Sequence, residues 1–441
     1  MTSEGEPRAT ASDVTALARD AVIWGLPLVL FGRYLDAATD NGVPFNRFLM
    51  STEIATPRSR SVGPNIDTLN GLAWLDLTVG PQVIGVPDMG DRYYSIQLQD
   101  MYMNSFAYIG RRTTGTSAGA FAITPPGFTG TLPVGVTEIK APTSRVLAFV
   151  RTLVLGRADL ARVRALNSSF SLGPLSAFPD SRHEAVVRAN ALDGFQPASR
   201  RTGRSVPLED VAAAGPAYFD ELDRLVRTYP PAARDLSSLA RFAPLGIGTP
   251  EAARRGPALA AGLSSAVPAG LAVVRGALRT RSDNGWSRRE NVAPFIEDPV
   301  QRAANNIYGP GTQVAEESVF FNMRLGTDGS PLSGARRYRL RFTAGQLPPV
   351  DAFWSLTLYD GKYFLVDNPI DRYGVTSHSE RLHYGPDGSL EILIQADPPD
   401  VPDTNWLPAP RDQFQLVFRT YQPRQPLLDG TYAPAPLDVV G

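Results

Sequence analysis

Several residues in this chain have the types and spacing that chemistry needs. Gly115-Thr116-Ser117-Ala118-Gly119 fits G-x-S-x-G, the pattern of a serine-hydrolase nucleophile elbow. That elbow needs a strand before the serine and a helix after it. Here "AFAITPPGFTG" follows, and Pro125, Pro126 and Gly127 leave no room for a useful helix. Ser117 is therefore expected in a glycine-rich hairpin, not at a catalytic centre. The strand-like "DRYYSIQLQDMY" offers Arg92, Tyr94, Asp100 and Tyr102 along one face, where a phenol and a carboxylate could serve as acid and base. Ile96 and Leu98 share that face and would make it a core face. Asn65 and Asp67 in "PNIDTL" could bind or activate a substrate, although both types also cap turns. The candidate catalytic set is Asp67, Tyr94 and Asp100. The candidate substrate contacts are Asn65, Arg92, Tyr102, Arg112 and Trp354.

Metal and cofactor chemistry finds little to use. There is no cysteine, which removes disulfides, thiolate nucleophiles and zinc–cysteine sites. The three histidines, His183, His378 and His383, form no H-x-H or H-E-x-x-H pair. Read as a strand, the spacing of the last two would put them on opposite faces. Tight transition-metal binding is not expected, while an oxygen-only Ca²⁺ or Mg²⁺ site at Asp67 or Asp100 stays open. Neither a phosphate loop nor a dinucleotide fingerprint is present, so no cofactor is expected.

Composition narrows the partners. The 441 residues carry a net charge of -1, 43% hydrophobic and 20% charged residues, as in ordinary globular proteins. No basic stripe suggests nucleic acid. Lys140 and Lys362 are the only lysines, and the arginines are interleaved with acids. The N-terminal twenty residues are polar and acidic, and the apolar stretch Ala21 to Phe31 is short and contains Pro27. The expectation is a cytoplasmic protein with no membrane partner.

The elements that must position these residues show an internal repeat. "DRYYSIQLQD" from Asp91 and "DAFWSLTLYD" from Asp351 share one pattern. "PTSRVLAFVRT" and "PRDQFQLVFRT" place Arg151 and Arg419 at the same distance from a proline. "IGRRTTG" and "IDRYGVT" lie between these anchors in both copies. Recurrence in both copies favours structural roles for Asp100 and Asp360, and for Arg151 and Arg419. Both copies read as short strands with Gly and Pro turns. Between them, segments rich in Ala, Leu and Arg have helical spacing, and a helix is expected over Val14 to Leu35. The expected layout is an N-terminal helical segment (1–60), a β domain (61–175), a helical insert (176–290) and a second β domain (291–441).

"PNIDTLNGLAWLDL", "VPDMGDRYYSIQLQDMYMN" and "GRRTTGT" resemble the DUF1254 family. The block ending "FWSLTLYD", then "DNPIDRYG", "NWLPAP" and "LDGTYAPAPL", resemble its usual C-terminal partner, DUF1214. The resemblance implies an α+β, mainly β fold of two jelly-roll-like antiparallel domains separated by a helical insert, and is compatible with a homo-oligomer. Family members usually carry a Tyr-rich helical segment after Asn-Gly-Trp. Asn284-Gly285-Trp286 is present here, but the stretch that follows matches poorly. Two functions fit these observations. One is a cofactor-free, metal-independent intracellular enzyme acting on a small organic molecule by hydrolysis, cyclisation or lyase chemistry, in secondary metabolism for example. The other is a non-catalytic jelly-roll protein that binds carbohydrate or a partner chain, with Trp74, Trp354 and Trp406 as stacking candidates.

Overall fold

The structure is a computed structural model that describes residues 11–59, 61–180, 185–191, 208–249, 257–290, 292–309, 311–380, 382–401 and 404–440. Among them are eight helices and twenty strands in four mostly antiparallel sheets, a mixed α+β fold that is mainly β. The strands of the N-terminal half are β1 (Leu49–Ser51), β2 (Thr68–Asp76), β3 (Gln82–Val86), β4 (Tyr94–Asp100), β5 (Ser105–Gly110), β6 (Gly119–Thr124), β7 (Val136–Lys140), β8 (Arg145–Leu153), β9 (Ser171–Pro174) and β10 (Val186–Arg188). Those of the C-terminal half are β11 (Thr280–Asp283), β12 (Trp286–Arg289), β13 (Ser318–Met323), β14 (Arg337–Phe342), β15 (Val350–Asp360), β16 (Gly374–Thr376), β17 (Leu390–Gln395), β18 (Asn405–Pro408), β19 (Phe414–Pro423) and β20 (Leu437–Val440).

The halves repeat each other except at one edge, where β10 joins β1 in parallel and β11 joins β12 antiparallel. One six-stranded sheet runs β10-β1-β2-β8-β4-β5, the other β11-β12-β13-β19-β15-β16. The four-stranded sheets run β7-β6-β3-β9 and β18-β17-β14-β20. Even the parallel pairs, β6 with β7 and β17 with β18, correspond. In each half the two sheets close a sandwich over an apolar core. Ile96, Leu98 and Val146 meet Ile84, Ile123 and Leu172 in the first. Leu356, Leu416 and Phe418 meet Leu340, Ile392 and Leu437 in the second.

Alternation along β4 sends Tyr94, Ile96 and Leu98 into that first core. Ser95, Gln97 and Gln99 point the other way, yet every residue of β4 is buried. The reason is a third layer. Part of the outer face of the first six-stranded sheet is covered by helices and part by the second half of the molecule. The helix Ala11–Asp40 packs Phe31 on Trp74, with ring centroids 4.9 Å apart, and Trp24 on Tyr102. By length and composition this helix could cross a membrane, but its apolar residues form the centre of the helical layer. It approaches the helix Ala217–Thr228 closely: a Cβ on Gly25 would lie 2.5 Å from Leu222 Cδ1.

The boundaries differ from the sequence expectation at the insert. The hairpin of β11 and β12 falls within 176–290 but pairs with β13 in the C-terminal sheet. Its two-residue turn is Asn284-Gly285, both at positive φ, the strongest short hairpin signal. At the other end, β1 falls within the first sixty residues but pairs with β2.

Candidate functional site

The two six-stranded sheets face each other across a pseudo-twofold axis, and their polar faces supply a shared interior. In β8, Arg151 lies between Asn70 and Ser95 of the neighbouring strands. In β19, Arg419 lies between Phe320 and Ser355. Near the axis sits an aromatic cluster. Phe353 stacks on Tyr421 at 4.1 Å, and Tyr93 meets both edge-on at 5.4 Å.

Each half also sends a carboxylate into the other. Asp67, just before β2, accepts a 2.5 Å hydrogen bond from Ser355 Oγ. Glu317, just before β13, accepts 2.9 Å from the Tyr93 hydroxyl and pairs with Arg112 at 2.6 Å. The backbone holds both loops alike: Val154 N donates to Asp67 O, and Gln422 N donates to Glu317 O. Their electrostatics differ. The second oxygen of Asp67 is buried with no partner, and burial raises its carboxyl above the usual range against the pull of Ser355, His378 and Arg419. Glu317 has a cation.

The two arginines are tethered by neutral acceptors. Arg151 donates to Gln97 Oε1 (2.9 Å) and the Gly311 carbonyl (2.8 Å). Arg419 donates to Thr357 Oγ1 (3.0 Å), the Tyr359 hydroxyl (2.7 Å) and the Gly63 carbonyl (3.2 Å). Both open onto a cleft of about 1160 Å³ between the halves, walled also by Asn65, Gln313, Phe320 and Tyr421. Asn65 is held by donation of the Asp67 N–H to its Oδ1, and its amide donates to the Tyr421 hydroxyl at 2.7 Å. That bond uses the phenol as acceptor. Among the described residues no acceptor is in place for the phenol's own proton, and the side chain is fully buried at the cleft wall. Burial raises the Tyr421 hydroxyl well above its usual range, so it stays protonated.

The other sequence candidates lie elsewhere. Tyr94 reaches into the N-terminal sandwich and donates to the Gly115 carbonyl. Asp100 organises the turn after β4, accepting from Tyr102 N, Asn104 N and the Asn104 amide. Asp360 does the same after β15 for Lys362 N and Phe364 N, so the recurring aspartate builds a turn. Arg92 clamps Asp159 with two bonds. Tyr102 donates to the Tyr229 carbonyl in the helical layer. Trp354 stacks on Phe418 in the C-terminal core. Arg112, in the turn after β5, pairs with Glu317, and Asp67 accepts from Ser355; neither lines the cleft. Of the eight candidates, Asn65 alone lies on the wall.

Ser117 is exposed in a bend that leads into β6, with no helix behind it. A smaller cavity nearby, about 390 Å³ and lined by Val83, Ala118 and Pro179, has no ionisable side chain. His378 and His383 follow β16 in a loop rather than a strand; His378 is half-buried beside Phe353 and His383 is exposed. Burial pulls the His378 imidazole below its usual value. His183 lies outside the described residues. Among the described residues no three His, Asp or Glu side chains converge as a metal site would require.

Residues 45–174 match the family described as protein of unknown function DUF1254, and residues 317–425 match that described as DUF1214. The chain belongs to the DUF1254/DUF1214 family. In this DUF1254/DUF1214 protein the two matches fall on the two β halves, and the cleft lies where they meet. The VPA0106 protein from Vibrio parahaemolyticus has a similar fold: TM-score 0.74, 20% identity, covering 97% of this chain and 100% of that one. An uncharacterized protein from Burkholderia cenocepacia aligns with a TM-score of 0.43 and 11% identity, over 98% of this chain and 94% of that one. The search of curated proteins found no match. The stretch Ser287 to Gly309 after Trp286 contributes Ser287, Arg288, Arg289, Glu290, Val292 and Gly309 to the cleft.

Proposed function

We propose that this protein is an enzyme acting on a small organic molecule held in the cleft between the β halves, using neither cofactor nor metal. The observation that carries the reading is the Tyr421 hydroxyl, fixed by Asn65 with its proton undirected, on the same wall as Arg151 and Arg419. In that position Tyr421 is the general acid, and the guanidinium groups stabilise negative charge as it develops. Hydrolysis, cyclisation and elimination all have steps that such a set can assist. The cleft has the size of small-molecule sites or somewhat more. A cytoplasmic location is part of the proposal, tested by immunoblotting of cell fractions.

The carbohydrate-binding alternative calls for exposed aromatics on a β face. Trp74, Trp354 and Trp406 are buried, so these three offer it no such surface. The test of the enzymatic reading is metabolite profiling of a gene-deletion strain, followed by incubation of the accumulated compound with purified protein. Conversion by the wild type and not by folded Tyr421→Phe is the expected result. A compound that is bound and returned unchanged would mean a binding protein.

A further inference from the structure

Arg419 is 4% exposed and touches no carboxylate among the described residues. Arg302, the other arginine buried this deeply, clamps Asp235 at 3.2 Å, and the nearly enclosed Arg92 clamps Asp159 at 2.6 Å. Arg151 likewise has only an amide oxygen and a carbonyl as hydrogen-bond partners; it lies over the Phe149 ring at 4.0 Å, as Arg419 lies over Phe320 at 5.3 Å, and neither contact supplies a counter-ion. Its remaining exposure opens into the cleft. The nearby acids form no ion pair with either arginine, although Asp67 and Arg419 attract each other through space. Asp67 is turned to Ser355 and Glu317 to Tyr93 and Arg112. Arg288, Arg289 and Arg324 also stand on the cleft wall, where Glu290 is the one carboxylate among the described lining residues. Enclosed cations without a counter-ion are costly, and a planar guanidinium matches an oxyanion.

We infer that the molecule taken by the cleft is a small organic anion whose oxyanion group meets Arg151 and Arg419. The inference rests on the reading of the cleft as the working site, and names the chemical class of what it accepts. Phe149 and Phe320, over whose rings Arg151 and Arg419 lie, add apolar wall beside the charged group and suit an organic body there. Carboxylate and phosphate share the required chemistry.

The experiment is a thermal-shift series at matched ionic strength with benzoate, phenyl phosphate and neutral benzamide. The wild type is expected to melt about 2 °C higher at saturating benzoate or phenyl phosphate than at equal benzamide. The larger of the two shifts assigns carboxylate or phosphate. Arg411→Gln, an exposed arginine outside the cleft, keeps the shift, and Arg151→Gln and Arg419→Gln lose it. Anions no better than benzamide would overturn the inference, as would full shifts in both cleft variants. If those variants do not fold, the wild-type comparison still decides. Anion binding without turnover of any compound would sink the enzymatic reading and leave this inference standing.

Discussion

Asp67 and Glu317 occupy the same place in the two halves, yet they live differently. Glu317 has a cation, a phenol donor and two engaged oxygens. Asp67 has one serine donor and an oxygen with no partner. The same asymmetry runs through the phenols near the axis. Tyr93 gives its proton to Glu317, while Tyr421 receives a bond from Asn65 and keeps its own. Duplication built two equivalent frames, and the difference assigns them different work: the Glu317 side locks the halves together, and the Tyr421 side faces the cleft.

The largest expected effect separates the phenols. Tyr421→Phe should lower turnover of the accumulated compound by about 10²–10⁴, the usual range for a lost general acid. Tyr93→Phe should lower it by less than about tenfold and instead cost about 1 kcal/mol of stability, read by denaturant unfolding.

Next comes pH. Burial, opposed by Asn104 and the backbone, raises Asp100 from 3.8 to about 6. A carboxyl raised on folding stabilises most below its unfolded value, and that contribution is lost as pH climbs to its folded value. The difference of about two units corresponds to about 3 kcal/mol, lost between about pH 4 and pH 6. Asp100→Asn should remove this slope, seen as the change in the wild-type-minus-variant melting difference. A difference that stays flat across the window would mean that the three bonds to Asp100 outweigh its burial.

The carboxylates themselves give a smaller contrast. Glu317→Ala strands a half-exposed Arg112 and a buried phenol, and should cost about 2 kcal/mol after allowing for solvent at the arginine. Asp67→Asn should cost less than about 1 kcal/mol at neutral pH, because the charge it removes is disfavoured by burial. Equal losses would erase the distinction between the two sides. Smallest of all is Ser117→Ala, within about 0.5 kcal/mol in stability and with turnover intact, as suits an exposed bend.

Local patterns carried much of the architecture. The matched Asp-to-Asp strings fall on the corresponding strands β4 and β15, and the period-2 reading of Tyr94, Ile96 and Leu98 matches the sandwich core. Prolines and glycine after Ser117 correctly excluded a helix. The cleft was hidden for a different reason. Its contacts join residues far apart in the chain, 160 positions for Arg151 with Gly311 and 356 for Asn65 with Tyr421, and no periodicity reports them. Recurrence of Arg151 and Arg419 reads as a sign of structure when function is expected in one copy. The two halves bring both copies to one cleft wall, so recurrence is compatible with a shared site as well. The overlooked signal was the polar face of β4: Ser95, Gln97 and Gln99 opposite a full apolar face, in a strand with no solvent to meet.

The proposed function requires both halves to build a single working site. Turnover per folded molecule of Arg151→Gln and Arg419→Gln, measured side by side on the accumulated compound, tests it most directly. Each variant removes one half's cation and leaves the other half intact. The prediction is a loss of at least about 100-fold in both. Wild-type turnover by either variant, with folding confirmed by melting, would contradict it.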